Sequence, residues 1–295
     1  MSEAAYPSTY NNISLSSGEN VSYISAGSPI LPVLLLLHGF PSSSNQYRNL
    51  IPLLSTTYNI IAPDLPGFGL TTVPSSYIYT FENLATTISA FLTALSITSY
   101  AVYIFDYGAP VGLRLATANP QSVKAIISQS GNAYVEGLSH LFWDPFKPLW
   151  ASNSNANRDA VRAFALQLAP TISQYTRGVP AKDLPLVDPA AYTYDYLQNL
   201  QPAEQQEIQL DLFYDYRNNV AAYPTFQEYF RKYQVPLLAV WGKGDPVFAP
   251  AGAHAFKRDL PAAKVVLLDG GHFLLETKVN EVADEVLGFL KEVGF

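Results

Sequence analysis

Residues 100–112 of the chain read YAVYIFDYGAPVG, and the pattern changes character at Asp106. The apolar run before Asp106 predicts a buried strand, and the residues from Gly108 onwards predict a helix. A strand–turn–helix elbow strains its central residue and lifts that side chain above the end of the sheet. A carboxylate placed there is suited to displacing a leaving group from an sp3 carbon, giving an alkyl ester that water can cleave. The alternative is an ordinary helix N-cap, a position that aspartate also favours.

The composition of the whole chain narrows the class of protein. The 295 residues are 48% hydrophobic and only 14% charged, which indicates one globular core with room for an insertion. A net charge of −7 disfavours nucleic acid and anionic membranes as partners. The chain has no cysteine, so disulfides, thiol catalysis and thiolate metal sites are excluded. The four histidines show no metal-ligand spacing. We therefore expect no metal and no cofactor.

The ends and apolar runs of the chain bear on its location. Residues 1–12 are polar and contain no basic segment, so we expect no signal peptide. The apolar run at residues 31–37 is too short to span a bilayer. These observations predict a cytoplasmic protein without membrane contact. The expected oligomeric state is a monomer or a homodimer.

Short apolar runs alternate with helical patterns, which indicates a parallel sheet with crossover helices. The predicted fold class is α/β, with a mostly parallel eight-stranded sheet and helices on both faces. The first two strands are expected to form an antiparallel hairpin at the sheet edge, because Gly18-Glu19-Asn20 signals a turn. The predicted strands are residues 13–17, 21–26, 33–37, 59–63, 101–105, 123–128, 237–241 and 265–268. The predicted helices are residues 46–54, 81–95, 109–119, 251–258 and 279–293.

The strand pattern stops between residues 137 and 233, where proline, tyrosine and tryptophan cluster instead. Helical pieces are predicted at residues 158–168 and 204–218. We therefore predict a core of residues 1–136 and 234–295, with residues 137–233 inserted as a helical lid. The alternative for most of the aromatic residues is that they simply pack a small core of their own.

A second loop motif supplies backbone donors. HGFP at residues 38–41 follows the leucine-rich strand, and loops at the carboxyl ends of parallel strands line the crevice of such folds. The backbone N–H groups of Phe40 and Tyr107 are predicted to form an oxyanion hole. A plain Gly-Pro turn is the alternative for the first loop.

An acid and a histidine follow the last two predicted strands. WGKGDP at residues 241–246 places Asp245 where it can hold an imidazole in one tautomer, and DGGHF at residues 269–273 places His272 as that imidazole. Asp245 is alternatively a turn residue. Asp269 is a rival for the acid, ranked lower because it is only three residues from His272 on the same tight loop.

The order nucleophile, acid, histidine resembles that of the α/β-hydrolase superfamily. Over residues 20 to 293, the chain looks like the branch with an aspartate nucleophile, which includes soluble epoxide hydrolases and the haloalkane and fluoroacetate dehalogenases. The resemblance rests on the motifs at residues 38–41, 106–108, 242–245 and 271–273, and on APDLPGFG at residues 62–69, where Asp64 is interpreted as structural. Ile104 departs from the pattern, because the position two before the nucleophile is usually small.

The leaving-group contacts separate the members of this branch. An epoxide oxygen leaves as an alkoxide and needs an acidic O–H donor. The resemblance implies a lid tyrosine in a Tyr-Arg-Asn context, and Tyr216-Arg217-Asn218 matches it, although a packed lid tyrosine is the alternative. Tyr175 is the candidate for a second lid tyrosine. The predicted substrate-binding set is completed by Trp143, Trp150 and His38, the last of which is also expected to orient its own loop.

Halide leaving groups need N–H donors instead. Haloalkane dehalogenases resemble this chain but have tryptophan and asparagine where Tyr107 and Phe40 stand. Fluoroacetate dehalogenases place arginines near the nucleophile, whereas Arg114 lies two helical turns away. The resemblance therefore favours an epoxide hydrolase that converts a small apolar epoxide to a vicinal diol. The alternatives are a haloalkane or haloacid dehalogenase using the same covalent route, and a biosynthetic epoxide-opening or ligand-binding protein for a bulky metabolite.

Overall fold

A computed structural model describes residues 6–295, and one mixed sheet organises them. The spatial order of its strands is β1-β2-β4-β3-β5-β6-β7-β8. The pairs β1–β2 and β2–β4 are antiparallel and the other pairs are parallel. The predicted α/β-hydrolase fold, with its edge hairpin and mostly parallel sheet, is therefore confirmed. The strands are β1 Thr9–Ser14, β2 Asn20–Ala26, β3 Val33–Leu37, β4 Asn59–Pro63, β5 Tyr100–Phe105, β6 Val123–Gln129, β7 Leu237–Gly242 and β8 Lys264–Leu268.

Eleven α-helices of the described residues surround this sheet. Three short helices, α1, α4 and α10, span Ile51–Leu54, His140–Trp143 and Ala251–Ala255. The others are α2 Phe81–Ala94, α3 Gly108–Ala118, α5 Lys147–Ala151, α6 Asn155–Ala165, α7 Leu168–Thr176, α8 Pro189–Asn199, α9 Ala203–Tyr233 and α11 Val279–Glu292. None of the helices in residues 6–295 is long and apolar enough to cross a membrane. The expectation for residues 1–12 falls partly outside this range, because residues 1–5 are not described.

Strand β5 lies at the centre of the sheet, and all six of its residues are buried. Its side chains alternate between two hydrophobic clusters, as the two-residue period of a strand requires. Val102 and Ile104 join the cluster packed with α2, α3 and α9, whereas Tyr103 and Phe105 join the cluster packed with α1 and α11. Because both faces of the strand are covered, its carboxyl end is held rigidly. The residue that follows this end is Asp106.

Several predicted elements differ from the structure in their bounds. Strand β1 covers Thr9–Ser14 instead of residues 13–17, because Leu15 to Glu19 form the hairpin turn, with the Leu15 N–H donating to the Glu19 carbonyl. Residues 46–54 are a 3₁₀ turn at Ser44–Tyr47 followed by α1, which begins next to Pro52. The helix predicted at residues 158–168 is two helices, α6 and α7, with a break at residues 166–167.

The insertion between β6 and β7 is helical, as predicted, and its main element is the 31-residue helix α9. We expected this helix to end near residue 218, but it continues past Pro224 to Tyr233. Proline removes one backbone hydrogen bond and disfavours a helix interior. Here the turns beyond it bury Phe226, Tyr229 and Phe230, and this burial offsets the lost bond. The division into a core and a lid at residues 137–233 stays a prediction.

Candidate active site

Asp106 lies at the turn between β5 and α3 with a backbone φ of +48°. Non-glycine residues rarely adopt this left-handed conformation, and they retain it where the surrounding structure over-determines it. One carboxylate oxygen, Oδ1, accepts hydrogen bonds from the backbone N–H of Phe40 at 2.7 Å and of Tyr107 at 2.6 Å. The two predicted oxyanion-hole donors thus point at the same atom. The other oxygen, Oδ2, is 3.8 Å from Nε2 of His272.

The bulky Ile104 is accommodated by a glycine on the neighbouring helix. A Cβ atom added to Gly112 of α3 would lie 2.5 Å from Cγ2 of Ile104. Helix α3 can therefore pack closely against β5 without a small residue in the strand. The space that the large Ile104 side chain needs is provided by Gly112, which lies on the helix that follows the turn at Asp106.

Burial controls the charge of Asp106. Only 3% of the residue is exposed, and this desolvation raises the pKa of its carboxyl to about 6. The His272 side chain and the two backbone N–H donors limit the rise, because they favour the ionised form. The carboxylate is thus available as a nucleophile near neutral pH.

His272 and Asp245 form a buried pair within hydrogen-bonding distance. Its Nδ1 lies 3.0 Å from Oδ2 of Asp245, and both side chains are fully buried. Burial lowers the pKa of His272, but Asp245 and then Asp106 raise it more, so that it lies above the usual histidine value. A hydrogen bond from Nδ1–H to Asp245 leaves Nε2 as the basic nitrogen on the side of Asp106. The imidazole is therefore placed to accept a proton next to the carboxylate.

Ser130 is a further partner of the acid, and we did not predict it. Its hydroxyl donates to Oδ2 of Asp245 at 2.6 Å, while the N–H groups of Val247 and Phe248 donate to Oδ1 at 2.8 and 3.0 Å. These three donors and Nδ1 of His272 together fix the orientation of the Asp245 carboxylate. Ser130 directly follows β6, so its position after a strand was a usable signal.

Two other acids near these motifs, Asp269 and Asp64, form contacts away from His272. Asp269 is exposed and pairs with Lys243 at 2.8 Å, so the ranking of Asp245 above Asp269 agrees with their positions. Asp64 accepts backbone hydrogen bonds from Ser44 and Leu70, which agrees with its structural interpretation.

The predicted substrate-binding role of His38 is contradicted by its contacts. Its Nε2 accepts a hydrogen bond from the Leu65 N–H at 2.9 Å, and its Nδ1 lies 3.3 Å from the Gly39 carbonyl. Burial lowers its pKa to about 4, although the charge of Asp64 opposes this. Both ring nitrogens of a neutral His38 are therefore used to hold two backbone segments together.

Tyr216 lies in an aromatic cluster beside Asp106. Its ring centroid is 5.8 Å from that of Tyr107, 4.1 Å from that of Trp143 and 6.3 Å from that of Trp150, and the last pair is stacked. Burial, followed by Tyr223 and Asp106, raises the pKa of Tyr216 well above the usual tyrosine value. Its phenol therefore stays protonated as an O–H donor.

The two tryptophans pack against Tyr216 but use their N–H groups elsewhere. The indole N–H of Trp143 donates to the Val247 carbonyl at 3.1 Å, and that of Trp150 donates to the Phe213 carbonyl at 2.8 Å. Only their ring faces remain for a substrate. Their substrate-binding role stays a prediction in that restricted form.

Tyr223 is the residue that sequence reasoning missed. It follows Tyr216 by seven residues, nearly two helical turns, so both side chains lie on the same face of α9. Its hydroxyl accepts a hydrogen bond from Nδ2 of Asn132 at 3.1 Å. Burial raises its pKa to about 12 against the lowering effects of Tyr216 and Asn132, and Asp106 adds to the rise. The seven-residue spacing was visible in the sequence, but Pro224 argued against a helix that continues past Tyr223.

Tyr175 lies elsewhere. Its hydroxyl donates to Oδ2 of Asp195, and its ring stacks on Phe273 with centroids 3.8 Å apart. It belongs to the hydrophobic cluster on the face of the sheet opposite to that of Tyr216. These contacts contradict its predicted substrate-binding role, because its hydroxyl is already paired inside the protein. Sequence position alone could not show which side of the insertion it occupies.

No group of three or more histidine or acidic side chains within residues 6–295 is arranged to hold a metal ion. The chemistry available at the site is that of Asp106, His272, Asp245 and the phenols of α9. This set can form an ester at Asp106 and activate water next to it.

Comparisons with known proteins agree with this architecture. Residues 32–279 match the sequence profile of the alpha/beta hydrolase fold family, so the chain belongs to the α/β-hydrolase superfamily. The protein is a hydrolase of this fold. A protein of Saccharomyces cerevisiae described as an uncharacterized hydrolase is 46% identical over 290 residues, covering 96% of this chain and 97% of that protein.

Two haloalkane dehalogenases illustrate the wider family. The enzyme of Psychrobacter cryohalolentis is 26% identical over 283 residues, covering 92% of this chain and 88% of that protein. The crystal structure of a haloalkane dehalogenase from Bradyrhizobium elkani superposes with a TM-score of 0.77 at 21% identity, covering 97% of this chain and 99% of that one. The structural likeness concerns the fold.

Proposed function

We propose that the protein is an epoxide hydrolase that opens a small apolar epoxide to a vicinal diol through an ester on Asp106. The observation that carries this proposal is the pair of phenols on α9. Tyr216 and Tyr223 lie on one face of the helix and influence each other's pKa. The charge of Asp106 raises the pKa of both phenols. Two protonated phenols beside a buried carboxylate match the needs of an epoxide, whose oxygen must receive a proton as the C–O bond breaks.

The hydrogen bonds of the tryptophans support an epoxide over a halide. A halide has no need of a proton and is held by N–H donors. The indole N–H groups of Trp143 and Trp150 already donate to backbone carbonyls. The backbone N–H groups of Phe40 and Tyr107 are occupied by Oδ1 of Asp106. Dehalogenation by the same covalent route is the second candidate, because a relative of this chain is a haloalkane dehalogenase.

The first half-reaction forms the ester. Oδ2 of Asp106 attacks an epoxide carbon, the C–O bond of the ring breaks, and the released oxygen takes a proton from Tyr216. Oδ1 stays between the two backbone N–H donors, where it becomes the carbonyl oxygen of the ester. Burial makes Asp106 a stronger base and nucleophile than an exposed carboxylate.

The second half-reaction releases the diol. His272 takes a proton from water, and the hydroxide attacks Cγ of Asp106. The negative charge that develops on Oδ1 is stabilised by Phe40 and Tyr107 N–H, which already point at that atom. The bond between Cγ and Oδ2 breaks, so the second diol oxygen comes from Asp106 and the water oxygen remains in the carboxylate. Of the two water protons, one reaches the leaving oxygen from His272 and the other restores Tyr216.

We propose further that residues 137–233 act as a lid over this site, because α9 and the segment of Trp143 and Trp150 supply the aromatic rings around Tyr216. These rings favour an apolar substrate. A bulky metabolite epoxide, opened or only bound, is the remaining alternative.

The covalent route can be tested by turnover in ¹⁸O-labelled water. In a first turnover with enzyme in excess, we expect the label in the Asp106 carboxylate and an unlabelled diol. Label in the first diol would show direct attack by water and contradict the proposal.

The leaving group can be tested with two variants of α9. Tyr216→Phe is expected to slow ester formation from an epoxide about 100-fold, because it removes the proton donor. Tyr229→Phe is the matched control, since Tyr229 is a buried tyrosine of the same helix whose surroundings include Tyr100 and Tyr233 rather than Asp106. Styrene oxide and a 1-haloalkane serve as paired substrates. Halide release without epoxide turnover would favour the dehalogenase instead.

A further inference from the structure

The carboxyl end of helix α7 touches both loops that carry Asp245 and His272. We call residues 175–178 the α7 clamp. The ring of Tyr175 stacks on that of Phe273, the residue after His272, with centroids 3.8 Å apart and planes 6° apart. Phe273 in turn makes an edge contact with the His272 ring at 5.3 Å. The stack therefore lies directly behind the imidazole.

The backbone of the α7 clamp packs just as closely. Gly178 adopts a φ of +80°, and a Cβ added to it would lie 1.9 Å from the carbonyl oxygen of Gly244, the residue before Asp245. A Cβ added to Gly271, the residue before His272, would lie 2.4 Å from the Arg177 carbonyl oxygen. Any other residue at Gly178 would push the clamp away from the acid loop. Both loops are thus held at van der Waals distance from one short segment of the insertion.

Buried polar groups anchor the clamp on its other side. The Tyr175 hydroxyl donates to Asp195 of α8, which is 1% exposed. Arg48 donates to Glu276 at 2.8 Å, and Glu276 lies in the turn that follows His272. Buried charge-assisted hydrogen bonds are strong and directional. The Tyr175 hydroxyl therefore ties the clamp to α8, and Arg48 ties the segment after β3 to the histidine loop.

We propose that the α7 clamp positions the His272–Asp245 pair, with Tyr175 as a positioning residue for the hydrolysis of the Asp106 ester. This inference rests on the covalent route proposed above. The aromatic partner of Tyr175 is Phe273 of the histidine loop, whereas Oδ1 of Asp106 is held by the backbone N–H groups of Phe40 and Tyr107. A loosened clamp should therefore misplace the base more than the nucleophile.

The charge of Asp195 gives a second way to test the clamp, because the hydrogen bond from Tyr175 depends on that charge. The groups that face it are Tyr175 of α7, Ser42 and Arg48 of the loop after β3, and Glu276. Burial raises the pKa of Asp195 to about 7, against the lowering effects of Tyr175, Ser42 and Arg48. An ionised Asp195 is the stronger acceptor for the Tyr175 hydroxyl. Its support for the clamp should therefore weaken as the pH falls through 7.

The experiment follows ester formation and ester decay separately, by rapid quench and intact-protein mass spectrometry with styrene oxide. Tyr175→Phe keeps the stacked ring and removes the hydroxyl. We expect ester formation within about twofold of wild type and ester decay slowed about tenfold, the size of one lost hydrogen bond. Tyr192→Phe is the matched control, because the Tyr192 ring of α8 meets the Tyr175 ring edge to face, with centroids 5.8 Å apart. It should leave both steps unchanged.

The variant Asp195→Asn distinguishes a role of the clamp in positioning His272 from a general contribution to the stability of the fold. It should slow decay at high pH, and its difference from wild type should shrink below pH 7, because asparagine is neutral throughout. Equal slowing of both steps, or a pH-independent difference, would show a merely structural role and overturn the inference. Unaltered decay in Tyr175→Phe overturns it as well, while the proposed function stands. If His272→Gln accumulates no ester at all, the proposed function fails and the inference fails with it.

Discussion

The replacement Asp245→Asn tests whether Asp245 is needed for hydrolysis of the Asp106 ester but not for its formation. Asp245 accepts hydrogen bonds from the Val247 and Phe248 N–H groups through Oδ1, and from Ser130 and His272 through Oδ2. Asparagine can keep its carbonyl on the two backbone donors. Its NH₂ group then faces Nδ1–H of His272, so the imidazole must turn or move its proton to Nε2. In either case it cannot accept a proton from water.

The expected magnitude follows from the geometry of the pair. At the observed 3.0 Å, and with an effective dielectric constant of about 20, an ionised acid stabilises the protonated imidazole by roughly 5 kcal/mol. Each 1.36 kcal/mol corresponds to a factor of about ten in rate, so ester hydrolysis should slow by about 10⁴. Ester formation should change far less, because Asp106 keeps both backbone donors.

The assay is a rapid-quench time course with an epoxide, read as intact mass. The Asp245→Asn variant should accumulate one ester per chain. Asp269→Asn is the control, since Asp269 is an exposed carboxylate on the histidine loop that pairs with Lys243. It should behave as wild type. Ester accumulation in Asp269→Asn, or hydrolysis at the wild-type rate in Asp245→Asn, would refute the assignment of the acid.

Three further outcomes are expected. Because the pKa of Asp106 is about 6, ester formation should fall about tenfold per pH unit below that value and stay level above it; a rate that rises on acidification would contradict the ionised nucleophile. Gly112→Ala should destabilise the fold by about 1–3 kcal/mol in urea unfolding and should cost less in an Ile104→Ala background, which lacks Cγ2, whereas equal losses in both backgrounds would argue against the contact. His38 has a folded pKa of about 4, below its unfolded value of 6.5, so the stability that it contributes is present above pH 6.5 and lost as the pH falls towards 4. His38→Gln should lack this part of the acid destabilisation, and an unchanged pH profile in urea unfolding would contradict the neutral ring.

Much of the candidate site could be predicted because its parts are local. Asp106, Phe40, Asp245 and His272 each follow a strand that the apolar pattern predicts. Since parallel strands end at one edge of a sheet, loops that are far apart in sequence meet there. Chain order and strand position were therefore sufficient to bring the acid, the histidine and the nucleophile together.

The residues of the insertion were harder to predict, because their roles depend on helix phase and length. Tyr216 was found from its sequence context, but Tyr223 required a helix that continues through Pro224. Tyr175 is a tyrosine of the same insertion as Tyr216 and Tyr223, yet its hydroxyl bonds Asp195 and its ring stacks on Phe273. No local pattern distinguishes a phenol that faces the candidate nucleophile from one that faces the back of the histidine loop.

The sequence by itself determined the α/β-hydrolase fold, the order of the reactive groups and the identity of the turn residue Asp106, because periodicity and strand-end motifs are short-range properties of the chain. Only the tertiary structure decided how these groups are supported. It shows that Ser130 contacts the acid, that the indole N–H groups are already paired, and that α7 packs behind His272. Such contacts join residues tens to hundreds of positions apart, and they depend on how whole helices pack against the sheet.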